Sequence, residues 1–167
     1  ILDKAADNLV LANDITVTQT LTLTSGLVST ASNSVTISSG GATASASSAS
    51  YVSGIMKKVY AATGTFTFPI GKGGVYRPLG FEYTALTGTS TVTTEQFESA
   101  LSGTLPANTN LNSARYWDIS QTGGSGLSYK VTLDGTGDYI TGTVVMLKNE
   151  SGTITSNTST TPNYTNS

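Results

Sequence analysis

The sequence offers few residues whose types and spacing would support catalysis. It has no His and no Cys among its 167 residues, which excludes Ser-His-Asp triads, thiolate nucleophiles and nearly all zinc or copper sites. Two carboxylates lie close together, Glu95 and Glu98, in the stretch TEQFESAL. Catalytic carboxylates usually approach from separate elements across a cleft, and two glutamates in a first helical turn are explained by the helix dipole. We therefore expect neither an enzyme nor a cofactor.

Two glycine-rich stretches have the composition of ligand loops. The first is Gly71-Lys72-Gly73-Gly74, but a phosphate-binding loop needs four residues between its glycines and then Lys-Ser/Thr opening a helix. The second, DGTGD, contains Asp134 and Asp138, too few ligands for a calcium loop of the EF-hand type. Both patterns are typical of turns between strands, and Asp134-Gly135 predicts a hairpin. No metal site is predicted.

Two arginines lie among aromatic residues and suggest a surface for sugars. The residues of this candidate glycan contact are Tyr76, Arg77, Arg115 and Trp117. A buried Arg–carboxylate pair or a cation–π stack explains the same residues structurally. Carbohydrate binding or adhesion is therefore the alternative functional hypothesis.

The strongest pattern in the chain lies in residues 8–37. Apolar residues recur there two apart, which places both members of a couplet on one face of a strand. The couplets are Leu9/Leu11, Ile15/Val17, Leu21/Leu23 and Val35/Ile37. Leu9, Ile15, Leu21 and Leu27 also recur at a spacing of six. Short inward strands separated by turns predict a β-solenoid-like ladder.

Threonine fills the outward positions of this ladder. Thr16, Thr18, Thr20, Thr22 and Thr24 alternate with the apolar residues, and a solvated strand face favours Thr because its branched side chain suits the pleat. A flat Thr array on a solenoid would also order water, so ice binding is a third hypothesis. Because the Thr residues follow one another within one segment, an ordinary solvated face is the favoured interpretation.

Composition limits the partners. The net charge is −2 with a pI near 4.9, which gives no basic surface for nucleic acid. No apolar run approaches the roughly 20 residues that span a bilayer. Low charge, abundant Thr, Asn and Gly, and no cysteine are typical of bacterial surface and fibre proteins. We expect an exported protein whose signal has been removed, located outside the cell or at its surface.

The predicted fold class is all-β, with the ladder packed on a β-sandwich and one short helix. Residues 1–50 are assigned to the ladder and its connector, residues 51–151 to the sandwich, and residues 152–167 to a Thr/Ser-rich tail that pairs with a neighbour. Short strands with turn signals at intervals of roughly 8–12 residues indicate the sandwich. The helix is predicted over Thr94–Leu101, with Thr93 as its N-cap.

Three elements in residues 51–120 carry a resemblance to a known family. They read YVSGIMKK, GTFTFPIGKGGVYRPLGFEY and LNSARYWDIS. They resemble the recurrent module of large secreted Bacteroidetes-type cell-surface proteins, in which LTLTSG-type segments precede a β-sandwich with F-P-x-G, Y-R-P and R-Y-W elements. The matching residues are Phe68, Pro69, Gly71, Tyr76, Arg77, Pro78, Arg115, Tyr116 and Trp117. The resemblance implies export and a cell-surface or matrix role, not an activity.

The leading functional prediction is a structural protein. The ends of a short solenoid expose unpaired strand edges, which must be capped or paired with another chain. We expect a homo-oligomer or filament, as a fibre, sheath or adhesin subunit, formed by strand pairing between copies. The predicted subunit contacts are Leu9, Leu11, Ile15 and Val17.

Overall fold

The computed structural model describes residues 1–4, 8–107, 114–134, 146–150 and 153–157 of the chain. These residues form strands and turns without a helix, which confirms the all-β class. The strands are β1 Leu2–Asp3, β2 Leu9–Val10, β3 Ile15–Val17, β4 Thr20–Ser25, β5 Val28–Ile37, β6 Ala42–Ala44, β7 Val52–Tyr60, β8 Gly64–Phe68, β9 Ile70–Lys72, β10 Val75–Tyr76, β11 Leu79–Phe97, β12 Tyr116–Leu133, β13 Met146–Glu150 and β14 Thr153–Asn157.

The chain divides into two compact units. The first comprises Ile1–Phe97 with Trp117–Asp134, and the second comprises Glu98–Tyr116 with Gly135–Ser167. The boundary predicted at residue 50 does not coincide with this division, because β5 and β7 on either side of it are hydrogen-bonded neighbours in one sheet. Strands β7 to β12, which were assigned to a sandwich, also belong to that sheet, which has nine strands.

The first half of the chain pairs in parallel. One sheet has the order β1-β4-β6, with Leu2 beside Leu23 and Leu21 beside Thr43. In the nine-stranded sheet, β2 and β3 both lie against β5, and β5 lies against β7. Each of these pairs joins segments that are one turn of chain apart.

An antiparallel part follows. The long strand β11 pairs through residues 90–94 with β7 and through residues 79–83 with β8, so it joins two successive strands. The inward side chains of β7, β8 and β11 form an aromatic cluster of Tyr60, Phe66, Phe68, Phe81 and Tyr83, all buried. Phe66 packs edge-on against Phe68, and Phe81 against Tyr83, each pair at 4.9 Å between ring centroids. The members of each pair lie two residues apart on one face of a strand.

Tyr129 lies at the margin of this core. Its side chain is 49% exposed, although its ring stacks on Phe81 at 5.2 Å between centroids. The reason is its position on β12, whose residues 120–130 are almost all exposed. Val131 and Leu133, on the same face, are partly buried against the core.

The helix predicted over Thr94–Leu101 is wrong. Residues 94–97 are the end of β11, and no helix follows in residues 98–101. Val92, Thr94 and Gln96 are buried while the residues between them are partly exposed, which is the period of a strand. Thr94 lies beside Met56 in the β7 pairing. Tertiary pairing therefore overrides the local helix propensity of Glu and Gln.

The glycine-rich stretch after Pro69 is a hairpin turn, as the sequence predicted. Strands β9 and β10 are antiparallel, with Val75 beside Lys72, so Gly73 and Gly74 form a two-residue connection. Their φ angles are 61° and 85°. A tight turn of this kind requires positive φ at both central residues, which glycine adopts without strain.

The second unit contains one described sheet, the antiparallel pair β13–β14. The Asn149 side-chain amide donates to the Ser102 carbonyl at 3.0 Å. Part of the predicted tail, Thr153–Asn157, thus pairs within its own chain. The remaining tail, the predicted Asp134-Gly135 hairpin beyond Asp134, and Asp138 lie outside the described residues.

Candidate functional site: an open strand edge

Parallel pairing places apolar side chains of neighbouring strands side by side, and we call each such row across the strands a column. The exposure of the residues in one column shows at which strand the row ends. Leu9 lies beside Val28, Val28 beside Val52, and Val52 beside Ile70. Leu9 is 38% exposed, whereas Val28 is 1% exposed and both Val52 and Ile70 are 0% exposed. The column is therefore covered at one end and open at Leu9.

A second column repeats this gradient. Ile15 lies beside Val35, and Val35 beside Met56. Val35 and Met56 are fully buried, whereas Ile15 is only partly buried. Val17, also partly buried, lies beside the fully buried Ile37. Three of the four residues predicted as subunit contacts thus lie at the open end.

Leu11, the fourth predicted contact, lies inside. Its side chain is 6% exposed. Its N–H donates to the Ser29 carbonyl at 2.9 Å, and its carbonyl accepts from the Asn33 amide at 2.9 Å. Leu11 therefore belongs to the core of its own chain rather than to the open surface.

Backbone groups also point outward at this end. Leu9 N–H donates to the Leu27 carbonyl and Leu11 N–H to the Ser29 carbonyl, both on the β5 side. Alternate residues of a strand direct their backbone groups to opposite sides, so those of Val10 point away from β5. The Val10 side chain is 64% exposed. Strands β1, β2 and β3 each pair with a single strand within the described residues, and we call their outer side the open edge.

Polar side chains hold the open edge in place. The Ser25 hydroxyl donates to the Asp3 carboxylate at 2.6 Å, and Leu27 N–H donates to the Asn8 side-chain oxygen at 3.1 Å. Each contact joins a residue in or next to β1 or β2 to the segment about twenty residues later in the chain. An edge fixed in this way loses little conformational entropy when another strand pairs with it.

The opposite end of the parallel stack is mostly covered. Strand β7 pairs with β9 and β11 as well as with β5, which places Ile70 beside Val52 and Thr94 beside Met56. Strand β6 pairs only with β4 within the described part of the chain. A shallow open groove of about 720 Å³ lies beside β6, between residues 39–43 and 58–67.

The four residues of the candidate glycan contact are divided between the two units. Tyr76, Arg77 and Trp117 belong to the first unit, and Arg115 belongs to the second. Arg77 is 9% exposed, and the Trp117 indole N–H donates to the Arg77 carbonyl at 3.2 Å. Burial, and secondarily the charge of Asp134, raise the pKa of Tyr76. Because Arg77 is buried and the Trp117 N–H is already hydrogen-bonded within the chain, these residues contribute to the stability of the fold. Glycan binding stays a prediction.

The threonines do not form one flat array. Thr16 lies in β3 beside Thr36, in the nine-stranded sheet, and the next residue along that row is Lys57. Thr20 and Thr22 lie in β4, in the other sheet, beside Ala42 and Ala44. The Thr residues are thus divided between two sheets, and ice binding also stays a prediction.

Acidic groups are dispersed in the described structure. Glu95 lies on β11 and forms an ion pair with Lys72, whose Nζ is 2.6 Å from Oε1. No group of three or more Asp, Glu, His or Cys residues suited to a metal occurs among the described residues. Nor does that part of the chain contain a helix long and apolar enough to cross a bilayer.

Comparison of the chain with protein-family models, curated proteins and solved structures found no match. The resemblance to secreted surface-protein modules therefore stays an expectation. Function is inferred below from the geometry of the open edge.

The sequence identified the apolar couplets but did not single out Val10 as an exposed apolar residue. Strict alternation assigns Val10 to the solvated face, between Leu9 and Leu11. Three consecutive apolar residues at 9–11 break the alternation seen elsewhere in the ladder. That break was the available signal for an exposed apolar position.

Proposed function

We propose that this chain is an extracellular structural subunit of a fibre, sheath or surface assembly, which associates through β-strand pairing at the open edge. The observation that carries the proposal is the exposure gradient from Leu9 to Val28 and Val52. A strand added beside β2 and β3 would cover the exposed apolar ends and satisfy the outward backbone groups, which is β-strand addition at an exposed edge.

Both residues of β2, at the open edge, are apolar and exposed. Of the exposed large hydrophobic residues in the described structure, Leu9 and Val10 are adjacent and both belong to β2. Monomeric proteins usually protect an edge with charge, proline or a covering loop. Val10 has none of these protections within the described structure, so pairing with another strand is favoured over exposure to water.

The contacts between turns of chain support a short solenoid as the scaffold. Side-chain hydrogen bonds join residues 22 apart at Asp3 and Ser25, 20 apart at Asp14 and Ser34, and 25 apart at Thr30 and Ile55. Such near-constant intervals are those of a coil that rises by one strand per turn. The antiparallel strands β8, β11 and β12 would then form the module that covers the coil at its other end, in the role predicted for a sandwich.

The experiment compares two matched Val→Lys variants. Val10→Lys places a charge on the open edge, where it opposes strand pairing. Val75→Lys places the same charge on β10, another exposed edge strand. We expect the unmodified chain and Val75→Lys to assemble with rising concentration in sedimentation velocity and negative-stain images, and Val10→Lys to remain monomeric at tenfold higher concentration.

A backbone variant separates pairing from side-chain effects. Val10→Pro removes an N–H that points away from β5, and an edge position tolerates proline. Leu11→Pro removes an N–H used within the fold and is expected to destabilise the chain itself. A strictly monomeric unmodified chain, or normal assembly by a folded Val10→Pro variant, would refute the proposal.

A further inference from the structure

The first strands of the open edge carry a symmetric apolar pattern. Leu9 and Val17 lie four residues on either side of Asn13, and Leu11 and Ile15 lie two residues on either side. The chain bends at residues 12–13, with β2 before the bend and β3 after it. When two copies of such a segment run antiparallel, the apolar positions of one copy lie opposite the apolar positions of the other.

The backbone directions have the same symmetry. Val10 directs its backbone groups outward, as shown above. The Val17 carbonyl accepts from Ser38 N–H on the β5 side, so the groups of Thr16 also point outward. Val10 and Thr16 each lie three residues from Asn13. In an antiparallel pair, two residues that face each other must both direct their backbone groups toward the partner strand or both direct them away. A pairing centred on Asn13 places Val10 opposite Thr16, and both of these residues direct their backbone groups outward.

We infer that the open edge binds a second copy of this chain by antiparallel, two-fold symmetric pairing centred on Asn13. This inference rests on the proposed function and names its partner and register. Val10 exchanges backbone hydrogen bonds with Thr16 of the second copy. Leu9 lies opposite Val17 of the second copy, which covers both exposed column ends at once.

Charge is compatible with a second copy as the partner. The one charged residue in positions 8–18 is Asp14, which in this register faces Ala12 of the second copy. Asn13 meets its own image, and an amide pair can hydrogen-bond across the axis. No like charges oppose each other along the pairing, a condition that antiparallel strands require.

The closed opposite end favours a two-fold contact over head-to-tail stacking. Head-to-tail stacking needs the open edge to fit the other end of the coil, but β9 and β11 already occupy the strand positions beside β7. Within the nine-stranded sheet the parallel stack therefore has no free edge at β7, and pairing between two open edges gives an isologous dimer. A fibre built from such dimers needs a second contact, and the outer side of β6 is free within the described residues.

Cysteine cross-linking tests the register directly, because the chain has no native cysteine. In the Asn13→Cys variant the two cysteines face each other across the axis, at a Cα separation of about 4.5–5.5 Å that a disulfide accepts. In the control Gln19→Cys, also exposed, the two cysteines are twelve residues out of register, which is beyond the reach of a disulfide. Mild oxidation should convert most of the Asn13→Cys chain, and little of the Gln19→Cys chain, into dimer on non-reducing gels.

The outcomes separate this inference from the proposed function. If the Val10→Lys variant loses assembly while Asn13→Cys fails to cross-link, strand pairing stands and the two-fold register is wrong. Equal cross-linking of both cysteine variants also overturns the register, because it indicates random collision. A monomeric unmodified chain overturns both proposals.

Discussion

The ammonium nitrogen of Lys58 lies 2.7 Å from the carbonyl oxygen of Ser38, one turn of chain earlier. It also donates to the carbonyls of Ser39 and Gly41, at 3.1 and 2.8 Å, so its three hydrogens all have acceptors. The Phe66 ring centroid lies 5.1 Å away. Burial lowers the pKa of Lys58, and acceptors that favour the charged form offset part of that cost. A single side chain thus fixes the turn that leads into β6.

Replacing Lys58 should destabilise the fold. In Lys58→Met the side-chain length is kept but three carbonyls lose their donor, and we expect a loss of about 2–4 kcal/mol in the free energy of unfolding. Lys57→Met, on the other face of β7, is the control and should change it by less than about 0.5 kcal/mol. Urea unfolding followed by circular dichroism measures both. Equal effects would show that the three contacts contribute nothing specific.

Glycine is required at position 54 because the backbone there lies against the Thr30 side chain. Its φ is 127°, and an added Cβ would lie 2.0 Å from the Thr30 hydroxyl oxygen. Thr30 is fully buried and accepts a hydrogen bond from Ile55 N–H at 2.9 Å, so it cannot move away. Gly54→Ala should cost about 3 kcal/mol through strain and overpacking.

Gly40→Ala is the matched control for this change. A Cβ at Gly40 would meet no atom within 4 Å, so its thermal midpoint should stay close to that of the unmodified chain. If Gly54→Ala also had the thermal midpoint of the unmodified chain, the close contact between Gly54 of β7 and Thr30 of β5 would be contradicted.

Asp14 should control the opening of the first strands. Its carboxylate accepts from Ser34 N–H at 2.7 Å and from the Ser34 hydroxyl at 3.1 Å. Asp14→Ala leaves a buried N–H without its acceptor, which costs about 1–3 kcal/mol. We expect hydrogen exchange to accelerate at the Leu9 and Leu11 amides while β7 keeps its protection. Asp14→Asn, which retains an acceptor oxygen, should restore most of the protection, and uniform acceleration along the chain would argue against a local role.

Tyr60 should make the protein sensitive to alkali. Burial, and secondarily the neighbouring Tyr83, raise the pKa of Tyr60 well above its ordinary value of 10.0. Above about pH 10 the unfolded chain releases this proton while the folded chain keeps it. The stabilisation is therefore full below pH 10 and is lost as pH rises, by at most about 1.4 kcal/mol per pH unit.

Tyr60→Phe removes this titration and should flatten the decline in unfolding free energy between pH 9.5 and 11.5. Comparing slopes rather than absolute values separates this effect from loss of the hydrogen bond to the Phe81 carbonyl at 3.3 Å. Between pH 6 and 8, where Tyr60 is protonated in both the folded and the unfolded chain, the slopes of Tyr60→Phe and of the unmodified chain should be the same, which provides the control. An unchanged slope in Tyr60→Phe would exclude Tyr60 as the source of the alkaline sensitivity.

Local pattern predicted the inward faces of the ladder but not which residues terminate it. Leu9 and Leu11 are equivalent by alternation, and both were predicted as contacts. The structure separates them, because Leu9 ends a column while Leu11 is enclosed, with Asn33 bonded to its carbonyl. Exposure at the end of a stack depends on which segment pairs next, and that information lies about twenty residues away along the chain.

By itself the sequence determined the all-β class, the inward apolar couplets and the Gly73-Gly74 turn. Each of these follows from the two-residue period of a strand or from the backbone freedom of glycine, which are local properties. Only the tertiary structure decided that Thr94–Phe97 continues a strand, that Lys58 lies among three carbonyls, and that Val10 belongs to an edge strand. Those features arise from pairing between distant segments, where the energy of cross-strand contact exceeds the preferences of any short stretch.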